Sequence, residues 1–233
     1  MAFDGRYVAS EATHKESAFM ALSSRFSDRQ AFEVFYASLS TPERKDEFLR
    51  VSIFYLFLVK QGDWCITVPG YNQVIDYFTN SFKLVALFSL IESLTELQHQ
   101  DFFQWLSEQP PSFGVFPITN KADLERLHEA YKLSFGAIRR CVSFFDRLPT
   151  EQKARLCKSI QPGGMPIASI KKLAEYLYQL RSKFVHEAQF VLQVCETPMC
   201  LFEKKKVTRS TITISTLMEA FEEGVLAYFN NET

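Results

Sequence analysis

Apolar residues recur along most of the chain at spacings of three and four, the period of a helix with one buried face. The pattern predicts a helix over DRQAFEVFYASL (28–39). A second runs through DEFLRVSIFYLFLVK, with Thr41 as its cap and Pro42 in its first position, and stops near Gly62. The stretch 71–108 reads as one long helix or two, with Asn80-Ser81 as the break point. QPPSFGVFPIT is a loop by composition. The pattern resumes as one long amphipathic helix over 120–148, a short helix from Thr150, a turn at QPGGMP, and a further helix over 168–188. The period then changes. QFVLQV and KVTRSTITIST are rich in β-branched residues and partly alternate, which predicts two strands paired as a hairpin. STLMEAFEEGVLAYF closes the chain as a helix, and the first ~20 residues, which are polar, are expected to be loose. The fold expected is therefore mainly α, a multi-helix bundle with a small antiparallel hairpin near the C-terminus. Residues 1–70 would form a helical region packed on a main domain of 71–233.

Composition narrows the class. The chain has 233 residues, 47% hydrophobic and 23% charged, with a net charge of -1 and a pI near 6.4. No global basic bias exists to coat nucleic acid by charge alone. The 23 Phe predict a bulky core that extends toward a subunit contact. The N-terminal residues lack the apolar core of a secretory leader. The run Val51 to Val59 is too short to span a bilayer, and LVALFSLIESL is short and carries Glu92, so both are expected as buried helices and no membrane is expected. Five scattered cysteines, Cys65, Cys141, Cys157, Cys195 and Cys200, fit a reducing cytosol better than a disulfide framework. No metal-ligand spacing or nucleotide loop appears, because QPGGMP lacks the Lys-Ser/Thr that a phosphate loop needs. No cofactor or metal is expected, and His14, His99 and His128 have no partner pattern.

One stretch carries candidate chemistry. In LRSKFVHEA, Leu180 to Ala188, an Arg and a His have four residues between them. At 100° per residue, Leu173, Leu177, Leu180 and Phe184 form a core stripe flanked by Tyr176, and Arg181 lies at its edge. His186 falls about 140° away from Arg181 around the axis, pointing nearly opposite the core. One straight helix cannot aim both at one small group, so cooperation requires a bend, another element or a second copy of the chain.

LRSKFVHEA resembles the signature of the HEPN family (higher eukaryotes and prokaryotes nucleotide-binding), in which an Arg is followed after four to six residues by a His near the end of a late helix. KLVALFSLIESL is similar to the earlier core helix of larger HEPN domains, with Glu92 as the acidic residue of that helix. The resemblance covers about Tyr71 to the C-terminus. It implies a metal-independent endoribonuclease whose motifs meet across a homodimer interface. RNA would be the substrate, and the setting that of a toxin with an antitoxin partner or of defence. Arg181 would be the phosphate clamp and His186 the general acid/base, with Ser182 orienting either and Glu92 holding Arg181 by an ion pair. Lys183, and Lys204, Lys205 and Arg209 around the hairpin, would contact RNA. Two positions depart from the usual signature, with Ser182 after the Arg and Glu187 after the His. Some family members have no nuclease activity and serve as modules for self-association or partner binding.

Overall fold

A computed structural model describes residues 5–63, 70, 72–94, 102–109, 120–203 and 206–230. The described chain is mainly helical, with a small antiparallel sheet near its C-terminal end. Two short helices, α1 (Arg6–Ala9) and α2 (Glu11–Leu22), lead into α3 (Arg29–Ser38) and α4 (Pro42–Tyr55). The polar N-terminal stretch is thus helical rather than loose: Ala18, Ala21 and Leu22 are fully buried, and Asp46 of α4 accepts the backbone N–H groups of Tyr7 (2.8 Å) and Val8 (3.1 Å). Small residues at the buried positions give α2 a weak apolar stripe, so the pattern understates its packing.

The start of α4 follows from its sequence. Thr41 accepts from the Arg44 N–H at 3.3 Å and Pro42 supplies a first-turn residue that needs no partner for its nitrogen. The helix widens over Leu56–Lys60 into a π turn, closed by the Gln61 N–H on the Leu56 carbonyl at 2.8 Å. That turn carries Lys60 back to the Ala21 carbonyl, at 2.6 Å.

α5 (Asn72–Ser93) is unbroken through Asn80-Ser81. Both residues are buried, and their side chains tie the helix to a distant segment. The Asn80 amide donates to the Val194 carbonyl (3.1 Å), while the Ser81 hydroxyl donates to the Tyr77 carbonyl (2.7 Å) and accepts the Val191 N–H (3.0 Å). QFVLQV therefore forms no strand. Its β-branched residues, Val191 and Val194, are buried against the helical core; α5 side chains meet the Val191 N–H and the Val194 carbonyl, and the Ser210 hydroxyl donates to the Gln193 carbonyl.

Beyond α5 come α6 (Phe102–Ser107), α7 (Lys121–Phe135) and α8 (Ala137–Asp146). The expected single helix over 120–148 is two, because Gly136 takes an extended ψ of 126° between them. α9 (Thr150–Lys158) leads into β1 (Ile160–Pro162), then a turn at Gly163 and Gly164, both at positive φ, and α10 (Ile170–Glu187). β2 (Met199–Glu203) and β3 (Lys206–Ser210) form the hairpin, and α11 (Ile214–Asn230) follows. The sheet order is β1-β3-β2, with Ile160 opposite Ser210 on one side of β3 and Met199 opposite Ser210 on the other. The hairpin thus pairs 199–203 with 206–210, and its third strand, IQP, is too short to show a period.

One contiguous core runs from Ala18 to Phe229 and draws on the helices of both sequence regions. The stripe on α10 lies as the spacing predicts: Leu173, Leu177 and Leu180 are buried, and Phe184 and Tyr176 are partly so. Among the described residues one helical stretch, Val74–Ser93, is long and apolar enough to cross a membrane by length and composition, and 39% of it is buried. Its inner face, with Leu84, Phe88 and Ile91, belongs to the core, while Phe78 and Phe82 stand on its outer face, 41% and 39% exposed.

Candidate functional site

The C-terminal end of α5 is where the candidate residues begin to meet. A helix end leaves carbonyls without intrahelical donors. Here arginines from neighbouring elements supply them. Arg140 of α8 donates to the Glu92 carbonyl at 3.1 Å, and Arg50 of α4 donates to the Ser93 hydroxyl (3.2 Å) and carbonyl (3.3 Å). Arg181 of α10 approaches the Glu92 side chain, with Nη2 to Oε1 at 3.7 Å. Its guanidinium also sits 5.4 Å from the centre of the Tyr178 ring.

This cluster is under-bonded. At 3.7 Å the Arg181–Glu92 contact is an ion pair and not a hydrogen bond. Glu92 Oε1, Arg181 Nε and Arg140 Nη2 are all buried atoms with no hydrogen-bond partner. Burial pushes the Glu92 carboxyl above its usual range, and the two guanidiniums offset only part of that rise. The neighbouring Cys141 thiol, fully buried, is pushed up to about 12 by burial and by the Glu92 charge. It is therefore a core residue and no nucleophile.

His186 lies elsewhere. α10 is continuous through Glu187, so Arg181 and His186 remain on different faces of one helix. His186 is exposed in its last turn and has no hydrogen-bond or ion-pair partner among the described residues. The helix ends at Ala188, which takes a left-handed φ of 53° and closes the turn by donating to the Lys183 carbonyl. The Glu187 carboxylate accepts from the Gln189 amide at 2.9 Å. Ser182 and Lys183 are half-buried on α10, and Arg209 is exposed on the central strand of the sheet. Lys204 and Lys205 lie outside the described residues. The structure therefore brings Glu92 to Arg181 and leaves His186 apart from both.

Arg140 and Arg50 were not singled out by their sequence context. Arg140 sits in a helix whose strong amphipathicity alone gives no reason to single it out, and Arg50 precedes an apolar run. Only the packing of α4, α8 and α10 around one helix end makes them a group. Among the described residues no cluster of His, Cys, Asp and Glu has the make-up of a metal site.

No protein-family model matches this chain, and no curated protein or solved structure matches it either.

Proposed function

We propose that the chain is a HEPN-like protein whose α10 end forms half of an RNA-cleaving site, with a second copy supplying the other half. The observation that carries this reading is Arg181, set at the edge of the core stripe and held by Glu92 and the Tyr178 ring, with its Nε unpartnered. Nε itself is buried and the side chain keeps 17% of its surface exposed, so in this reading a phosphate reaches the guanidinium by displacing the loose Glu92 contact.

The chemistry assigns one role to each residue. In RNA cleavage the ribose 2′-oxygen attacks phosphorus as its proton passes to a base. The departing 5′-oxygen takes a proton from an acid, leaving a 2′,3′-cyclic phosphate and a 5′-hydroxyl. An exposed histidine suits the proton transfers, and His186 has no internal partner to compete for its ring nitrogens. Arg181 would stabilise the charge developing on phosphorus. A straight α10 directs the two side chains apart, so the reading requires a two-fold arrangement in which Arg181 of one copy faces His186 of the other. An apolar strip supports self-association: Phe78 and Phe82 on α5, both part-exposed, are joined edge-on by Phe190 (4.5 Å) and Phe184 (5.0 Å) respectively.

The test is cleavage of labelled RNA in EDTA by wild type, His186→Ala and Arg181→Ala, with the mass of each in solution. Cleavage by wild type that falls by about a hundredfold or more in His186→Ala is the expected result. Equal cleavage by His186→Ala overturns the residue assignment. A wild type that self-associates and leaves RNA intact at high concentration is a silent module for self-association or partner binding, the reading favoured by the half-burial of Arg181 behind Glu92.

A further inference from the structure

The small sheet ends in an open edge. Its order is β1-β3-β2, so β2 has a neighbour on one side alone among the described residues. Hydrogen bonds on the far side of β3 fix which groups face that edge. The Val207 carbonyl accepts from the Gly163 N–H at 2.8 Å, and the Thr211 N–H donates to the Ser159 carbonyl at 2.8 Å. Val207, Arg209 and Thr211 therefore turn their backbone groups toward β1. The alternate residues Lys206, Thr208 and Ser210 turn theirs toward β2, where they stand opposite Glu203, Leu201 and Met199. Cys200 and Phe202 are left over. Their N–H and C=O groups point away from the sheet, and no backbone group meets them among the described residues.

The edge lacks the usual guards against pairing. β2 reads MCLFE, with no proline and a charge only at its last position, and its register with β3 runs without a bulge. Its side chains alternate. Leu201 is half-buried on the inner face, while Cys200 and Phe202 stand on the outer face, Phe202 81% exposed and opposite Val207 of β3. Open backbone groups two residues apart, with apolar side chains beside them, fit an added extended strand. β2 is itself such a strand. Two antiparallel copies related by a two-fold at Leu201 set Cys200 of each opposite Phe202 of the other. Both residues face outward, so each such pair exchanges both of its hydrogen bonds. A two-fold at Cys200 would instead set Phe202 against Pro198, which has no N–H, and one at Phe202 would carry Cys200 past the end of β2. Leu201 is thus the centre that pairs every open group of the strand within the strand. It also lays each Phe202 ring beside the Cys200 thiol of the other copy.

We infer that β2 pairs with β2 of a second copy across a two-fold at Leu201, joining two sheets into one. The pairing uses no residue of the α5–α10 strip and does not rest on the RNA-cleaving reading. Sedimentation of the full chain, as wild type and as Phe202→Pro, tests it. The variant loses the outward N–H and leaves Met199, Leu201 and Glu203 bonded to β3. Its self-association should weaken about tenfold or more, with the far-ultraviolet circular dichroism of wild type retained. A second variant does not depend on that proline. Leu201→Cys combined with Cys200→Ser should form, on mild oxidation, an intermolecular disulfide mapped by mass spectrometry to position 201 of both copies. Directly opposed residues of a non-hydrogen-bonded pair have Cα atoms about 4.5 Å apart, close enough for that bond. A wild type that stays monomeric at high concentration, self-association unchanged in Phe202→Pro, or absence of the 201–201 disulfide overturns the inference. Association kept in Phe202→Pro and lost in Phe82→Asp overturns it as well, and leaves the α5–α10 contact and the RNA-cleaving reading intact.

Discussion

Two glutamates drawn inward, Glu222 buried and Glu92 half-buried, show how differently one fold treats the same side chain. Glu222 on α11 is 4% exposed and fully engaged. It accepts from the Tyr55 hydroxyl (2.7 Å), the Arg25 Nε (2.8 Å), the Ser24 hydroxyl (2.9 Å) and the Lys60 ammonium (3.1 Å). Burial alone would raise its carboxyl, but these donors hold it below the usual range. Glu92 on α5 has two guanidiniums nearby, yet its Oε1 forms no hydrogen bond and its carboxyl is raised. The first arrangement spends every donor on holding three parts of the chain together. The second leaves donors unspent at the end of a helix. Saturation marks a structural clamp, and incomplete bonding marks a place where something else is accommodated.

The comparison breaks most sharply at Glu222. Glu222→Ala strands a buried Tyr hydroxyl, takes from Lys60 its carboxylate and leaves Arg25 with Glu223 alone as an ion-pair partner, and should cost about 3–5 kcal/mol in urea unfolding. A loss below 1 kcal/mol would show that the clamp carries little stability. Tyr55→Phe removes one donor to a charged acceptor and keeps the ring on Phe221, 4.8 Å away, so about 1.5–3 kcal/mol is expected.

Acid should separate the two residues by sign. The folded Glu222 carboxyl lies below its unfolded value of 4.5, so its contribution is complete above pH 4.5 and is lost as pH falls through the folded value. The folded Glu92 carboxyl lies above 4.5, so its contribution is greatest below pH 4.5 and declines as pH rises through the folded value. Unfolding measured from pH 3 to 7 should therefore show a steeper acid loss in Glu92→Gln than in wild type, and a shallower one in Glu222→Gln. The smallest effect is expected for Glu92→Gln at neutral pH, within about 1 kcal/mol of wild type and on the stabilising side. Under the RNA-cleaving reading the same variant should lower cleavage, because Arg181 loses its ion-pair partner. Unchanged cleavage would leave Glu92 without a role there.

Local rules were legible in the sequence where a residue acts on its own backbone. Thr41 and Pro42 start a helix because cap and imino ring act within one turn, and Leu173, Leu177 and Leu180 are buried because a helix has one period. The misreadings share a cause. QFVLQV has strand composition, but Asn80 and Ser81, more than a hundred positions away, take up the Val194 carbonyl and the Val191 N–H. Those two residues read as a helix break because polar side chains ordinarily compete with the helix, whereas here Asn80 bonds outward and Ser81 accepts from outside while donating back one turn to the Tyr77 carbonyl. Gly136 was hidden inside a continuous apolar period that resumes beyond it. Of the site, the spacing of Arg181 and His186 correctly placed them on different faces. The converging Arg50 and Arg140 depended on three-way packing that no local pattern encodes.

The Glu222 clamp also has a consequence for how the molecule comes into being. Arg25 and Lys60 are 197 and 162 positions from the carboxylate that receives them, and Arg44 donates to the carbonyl of Tyr228. During synthesis the amino-terminal helices emerge long before α11 and must wait for it with their cations unmatched and Phe48 lacking its edge contact with Phe229. For a helical chain this is an unusually late closure, since most helical contacts form between near neighbours. Nascent chains halted before α11 should remain sensitive to proteases, and protection should arrive abruptly once that last helix clears the ribosome.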